Sequence, residues 1–123
     1  PEPIHAGGLR YHGMSPLVSH IYELGLAEAI AIPQRECFSG ALTFARTEGI
    51  IPAPEPTHAI AAAIREALAC KESGEEKVIL TALCGHGHLD LAAYEGYIHG
   101  EMVDYDLPQE QIDEAMAEVP VLT

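Results

Sequence analysis

Apolar positions recur along this chain with helical spacing over most of its length, and with strand-like continuity in two short stretches. Ser15-Pro16 pairs an N-cap residue with a proline at the first helical position. Leu17, Ile21 and Leu24 then fall on one helical face, and Gly25 is a natural stop. Pro33 opens a second helix, with Phe38, Ala41, Leu42 and Ala45 at core spacing and Gly49 at its end. A third helix is predicted over Thr57 to Lys71, with Ile60, Ala63, Ile64, Ala67 and Leu68 as its stripe. Asp90 caps a short helix carrying Leu91 and Tyr94. Pro108 starts a last one with Ile112, Ala115, Met116 and Val119 on one face.

The two strand candidates are Ala29 to Ile32 and the near-continuous apolar run Lys77 to Leu83. A run of the second kind usually lies inside a sheet covered on both faces. Strands alternating with helices predict an α/β layer, a partial open sheet flanked by helices, within a single domain over residues 1–123. Two strands are few for a sheet, so further strands are expected from missing chain or from a partner. Residues Ile4 to Gly13 read as a Gly/His-rich loop, and 97–106 has no clear pattern.

Composition narrows the function. Aromatic residues make up 6% of the chain and tryptophan is absent, so an aliphatic core is expected. The formal charge of −13 repels phosphate backbones and anionic lipids, which sets aside nucleic-acid and membrane-surface binding. No apolar run approaches the roughly 20 residues of a membrane span, and no signal peptide is visible. Cys37, Cys70 and Cys84 show no C-x-x-C spacing, which fits a reducing, cytoplasmic compartment. The opening Pro1-Glu2-Pro3-Ile4 lacks an initiator Met and reads like the middle of a protein, so a fragment or processed product is expected.

Two stretches carry candidate chemistry. In Glu48-Gly49-Ile50-Ile51-Pro52-Ala53-Pro54-Glu55-Pro56-Thr57-His58, two carboxylates flank a proline-rich bend just before a helix. Glu55 is restricted by its neighbouring prolines, and either faces a ligand or accepts backbone N–H bonds at the helix start. Glu48 is either a ligand group or a solvated helix end. His58 faces the same pocket or solvent.

The second stretch is Leu83-Cys84-Gly85-His86-Gly87-His88-Leu89-Asp90. It reads as a loop around an organic cofactor, as a plain Gly-rich turn, or as an H-x-H-x-D metal site of His86, His88 and Asp90, the pattern of metallo-β-lactamase-like hydrolases. Those enzymes place another His after the Asp, where this chain has Leu91. Gly7-Gly8-Leu9-Arg10 suits an anion only weakly. Ser15, Ser19, Ser39 and Ser73 have no evident base partner. Cys37 and Cys70 read as structural, and neither Lys71 nor Lys77 sits where a Schiff-base lysine would be desolvated.

Taken in order, His5-Ala6-Gly7-Gly8-Leu9-Arg10-Tyr11-His12-Gly13, Thr47-Glu48-Gly49-Ile50-Ile51-Pro52-Ala53-Pro54-Glu55 with His58-Ala59, and Leu83-Cys84-Gly85-His86-Gly87 form a specific pattern. It resembles the C-terminal part of the tryptophan synthase β chain, closer to its second, β-like class, over essentially the whole chain. The resemblance implies a portion of a fold-type-II pyridoxal-phosphate enzyme that joins L-serine to indole, giving L-tryptophan and water. It implies that Glu55 lies beside the cofactor ring and that Cys84 stands where the family has a Ser on the pyridine nitrogen. Gly85 and Gly87 would keep the loop close to the ring.

Arg10 replaces an Asp of the common class and, with His86, is expected on the substrate side, where it would meet a carboxylate or phosphate. The backbone carbonyls of Leu9 and Tyr11 match positions that bind a monovalent cation. The Schiff-base lysine, the phosphate loop and the acid that assists serine dehydration lie upstream in the family. This chain alone is therefore expected to be inactive and to self-associate or bind its missing N-terminal part; the alternatives are a metal-dependent hydrolase using the H-x-H-x-D loop or a non-catalytic acidic interaction domain. The resemblance also implies a homodimer when complete, and an α-type subunit as a partner.

Overall fold

The structure, a computed structural model, describes residues 4–11, 13–117 and 119–120. Among these described residues five helices follow a short 3-10 turn at Gly7–Leu9: α1 (Pro16–Glu23), α2 (Gln34–Glu48), α3 (Pro54–Ser73), α4 (Leu91–Ile98) and α5 (Gln109–Ala117). Their stops follow local chemistry. Gly49 and Gly74 adopt left-handed backbone at φ 70° and 74°, and their N–H groups close on the carbonyls of Ala45 and Cys70.

Helix α3 begins three residues before the predicted Thr57. Pro54-Glu55-Pro56 is its first turn rather than a bend ahead of it. The first N–H groups of a helix have no partner inside it, so prolines there forfeit no helical hydrogen bond. Thr57 is fully buried and its hydroxyl donates to the Pro54 carbonyl at 2.5 Å.

The predicted sheet is not formed. Among the described residues no strand ladder exists; a single antiparallel bridge joins Pro52 and His86. Residues 29–32 and 77–83 carry no strand assignment. A strand exists only by pairing with a neighbour, and β propensity cannot supply one. In 77–83 Ile79 and Thr81 line a 280 Å³ groove with Phe44, Ile60 and Ile64, whereas Val78 and Leu80 stand 100% and 95% exposed. The α/β expectation is therefore replaced by a helical architecture.

Helices α2 and α3 form the main packed pair. Gly40 lets them approach: a Cβ there would lie 3.6 Å from the Ala61 Cα and 3.3 Å from the Ile64 Cδ1. The core lies between α2 and α4 and consists of Phe38, Ala41, Ala93, Tyr94 and Met102, with Leu42, Ile51 and Tyr97 against it. Its centre is aromatic rather than aliphatic, because Phe38, Tyr94 and Tyr97 meet there, while Tyr11, Tyr22 and Tyr105 are exposed. The Phe38 and Tyr94 rings meet edge-on with centroids 5.0 Å apart, and Tyr97 lies 5.9 Å from Phe38.

The apolar face predicted for α1 is not buried, and α5 buries none of its residues either. Segment 101–106, patternless in sequence, is tied down by long-range contacts. Met102 is buried, the Gln34 amide donates to the Val103 carbonyl, and the Arg35 N–H donates to Asp104 at 2.9 Å. Among the described residues no helix is long and apolar enough to cross a membrane.

Candidate functional site

The three motif segments converge on residues 51–55. The first joins the second through Glu55. Its Oε1 accepts the Gly8 N–H at 2.7 Å, and a Cβ on Gly8 would lie 3.0 Å from that oxygen. The contact needs both the glycine and the first-turn placement of Glu55 on α3. It fixes the carboxylate against the turn that carries Leu9, Arg10 and Tyr11.

The second segment joins the third through backbone. The Ala53 N–H donates to the Gly85 carbonyl at 3.0 Å, and the Gly87 N–H donates to the Ile51 carbonyl at 2.8 Å. Gly87 is buried, and a Cβ there would lie 2.4 Å from the Pro52 carbonyl oxygen. At Gly85 a Cβ would lie 3.1 Å from the Ala53 methyl. Both glycines thus serve the backbone pairing itself. Cys84, exposed, precedes this clasp, and Glu55 follows it by two residues.

Other candidates separate. Glu48 is exposed at the last position of α2, a solvated helix end. Arg10 is exposed, and the Leu9 carbonyl already accepts the Tyr11 N–H at 3.1 Å. His12 lies outside the described residues. His58 is half-buried beside Pro54 at a 260 Å³ cavity; burial holds its imidazole below the ordinary value, with the Glu55 carboxylate opposing. Cys37 is fully buried, and that burial pushes its thiol up to about 11, as suits a structural cysteine. The Lys77 ammonium is held by Glu66 at 2.9 Å and Glu75 at 3.1 Å, which raise its pKa, so it is no candidate amine nucleophile.

The metal reading of the 84–90 loop gains no support. The His86 and His88 rings lie 4.8 Å apart, but the His88 N–H donates to the His86 Nδ1 at 3.3 Å. Among the described residues no three His, Cys, Asp or Glu side chains group so as to hold a metal ion.

No family model matches the chain. Individual relatives do. The chain is 65% identical over 104 residues to "Tryptophan synthase beta chain 2" of Aquifex aeolicus, covering 85% of this chain and 24% of that protein. This stretch is homologous to the tryptophan synthase β chain. A tryptophan synthase beta chain 2 of Methanosarcina acetivorans is 57% identical over 103 residues, covering 84% of this chain and 23% of its own length. A tryptophan synthase beta chain of Thermococcus onnurineus is 53% identical over 108 residues, 88% of this chain and 24% of its own length. The chain thus spans about a quarter of the length of the tryptophan synthase β relatives it matches.

Sequence reasoning singled out Glu55, Cys84, Gly85 and Gly87. It missed the Gly8–Glu55 hydrogen bond and the roles of Ile51, Pro52 and Ala53 as backbone partners. It also missed Tyr94, whose buried hydroxyl donates to the Pro52 carbonyl at 2.5 Å. The signal for the backbone partners was the pair of glycines at 85 and 87. Nothing local marked Tyr94 as more than a core residue.

Proposed function

We propose that this chain is the C-terminal part of a cytoplasmic, tryptophan synthase β-type lyase that joins L-serine to indole, giving L-tryptophan and water. The observation that carries the reading is the convergence at 51–55: backbone pairing brings the Cys84 loop to the helix start that presents Glu55, in a chain 65% identical to a named relative. When bound in the complete protein, pyridoxal phosphate supplies the electron sink for replacement at the β carbon.

The residues present fit that group as one wall of its site. Cys84 is exposed at the rim of the clasp, where its thiol is a weak hydrogen-bonding partner for the ring nitrogen. Gly85 and Gly87 hold that loop against Ala53 and Pro52. Glu55 offers a carboxylate whose orientation is set by the Gly8 N–H. Arg10, exposed on the same turn, offers a guanidinium to a carboxylate or phosphate of the amino acid, and the exposed His86 is assigned to the substrate side with it as part of this proposal. The Leu9 and Tyr11 carbonyls are the proposed monovalent-cation ligands. Neither Lys71 nor Lys77 enters the site, so the Schiff-base lysine belongs to the remaining part of the protein. A homodimer and an α-type partner complete the proposal for the whole enzyme.

The test is made on the full-length protein containing this sequence. It is expected to carry bound pyridoxal phosphate and to form tryptophan from serine and indole. Glu55→Ala is expected to lower kcat/KM about a hundredfold, as misplacement of a site group does. A full-length protein that neither binds the cofactor nor makes tryptophan would overturn the reading.

A further inference from the structure

The clasp between 51–53 and 85–87 leaves one backbone acceptor turned the other way, into the core. The Pro52 carbonyl receives the Tyr94 hydroxyl at 2.5 Å, from a side chain 5% exposed and 42 residues distant in sequence. The neighbouring Ile51 carbonyl is held by the Gly87 N–H and the neighbouring Ala53 N–H by the Gly85 carbonyl. The Gly87 Cα packs beside the Pro52 oxygen so closely that a methyl group would not fit. Pro52 is itself fully buried and has no N–H to donate. Two successive peptide units are therefore pinned: the 51–52 unit by the Gly87 N–H, and the 52–53 unit at both ends, by the Gly85 carbonyl on its N–H and by Tyr94 of α4 on its carbonyl. The Tyr94 ring is seated edge-on against Phe38, so the hydroxyl has little freedom to leave. Burial, with the Asp90 carboxylate adding to it, pushes the phenol up to about 12, so it remains a donor at physiological pH.

We propose that Tyr94 is a positioning residue of the cofactor site: by holding the Pro52 carbonyl it sets the spacing between the Cys84 loop and the α3 start that carries Glu55. This rests on the function proposed above. Tyr94 acts through the backbone of 51–53 and need not touch the cofactor. Removing its oxygen leaves the ring packing in place and strands one buried carbonyl, so the 52–53 peptide unit, still tied to Gly85 through the Ala53 N–H, is held from the loop side alone and shifts relative to α4.

The experiment compares full-length wild type, Tyr94→Phe, Tyr97→Phe and Phe38→Leu, each titrated with pyridoxal phosphate. Tyr97→Phe removes a hydroxyl from the same aromatic cluster without touching Pro52. Phe38→Leu loosens the same core. The readouts are cofactor Kd, the absorption and fluorescence spectra of the bound cofactor, and melting temperature. The expected result is a Kd about tenfold weaker and a shifted spectrum for Tyr94→Phe alone. Unchanged Kd and spectrum in Tyr94→Phe, beside a wild type that binds normally, would overturn the positioning role while leaving the proposed function standing. An equal change in Phe38→Leu would also overturn it, since the effect would then follow core stability. A wild type that binds no cofactor would remove both proposals together.

Discussion

Gly87 has no room for a side chain. A Cβ would sit 2.4 Å from the Pro52 carbonyl oxygen and 3.0 Å from the Ile51 Cγ2. The nearer atom is backbone, pinned by Tyr94, and cannot swing aside as a side chain would. Gly87→Ala is therefore expected to destabilise the full-length protein by about 1–3 kcal/mol, the range for forced overpacking. Chemical denaturation measures this. An unchanged midpoint would mean that the 85–87 loop moves freely from the 51–53 segment. The glycine was legible as a requirement in the sequence, but its reason was not. A Gly-x-Gly loop announces close approach without naming the group approached. Tyr94 shows the converse, since the sequence placed it only on a short helix and its hydroxyl partner lies 42 residues away.

At the scale of elements, α2 and α3 depend on a small-residue contact. Gly40 faces the Ala61 backbone and the tip of Ile64. The flexible Ile64 can yield to a methyl, whereas a branched side chain would also meet the α3 backbone. Gly40→Val is expected to force the helices apart and to lower stability by about 1–3 kcal/mol, read as a lower melting temperature. A melting temperature equal to wild type would show that the helices are not in close register there. The Arg65 guanidinium and Glu36 carboxylate also link these helices, at 2.5 Å, but both side chains are well exposed, so the pair contributes little and weakens with salt. The glycines past the ends of α1 and α2 were the most legible termini, because a left-handed stop acts within one turn, whereas the start of α3 lies three residues before the predicted Thr57.

For the molecule as a whole, the exposed apolar groups decide behaviour. Val78, Leu80 and Leu89 are each more than nine-tenths exposed, and Leu17 and Leu26 are about three-quarters exposed. A polypeptide of these 123 residues alone is therefore expected to self-associate and to bind a hydrophobic dye such as ANS. The net charge of −13 opposes contact between copies, so added salt is expected to strengthen the association by screening that repulsion. Sedimentation across a salt series tests this. A monomer at all salt concentrations, with no dye binding, would show that these faces are covered in solution.

By itself, the order of residues determined where helices α1 to α5 lie, to within a few positions, and which face of α2 turns inward; of the α3 stripe Ile60 is buried, whereas Ala67 and Leu68 are exposed. Those features depend on neighbours three or four residues away, which periodicity records. It also held the three motif segments whose likeness to tryptophan synthase β chains the curated relatives bear out. Only the tertiary structure decided that these segments meet at 51–55, that Glu55 is tied to Gly8, and that the core is centred on Phe38 and Tyr94. Only it showed that the apolar run 77–83 lacks the ladder its composition suggested. The reason is the same throughout. A hydrogen bond or a ladder between distant segments needs a partner of complementary geometry, and no residue type carries information about which partner will arrive.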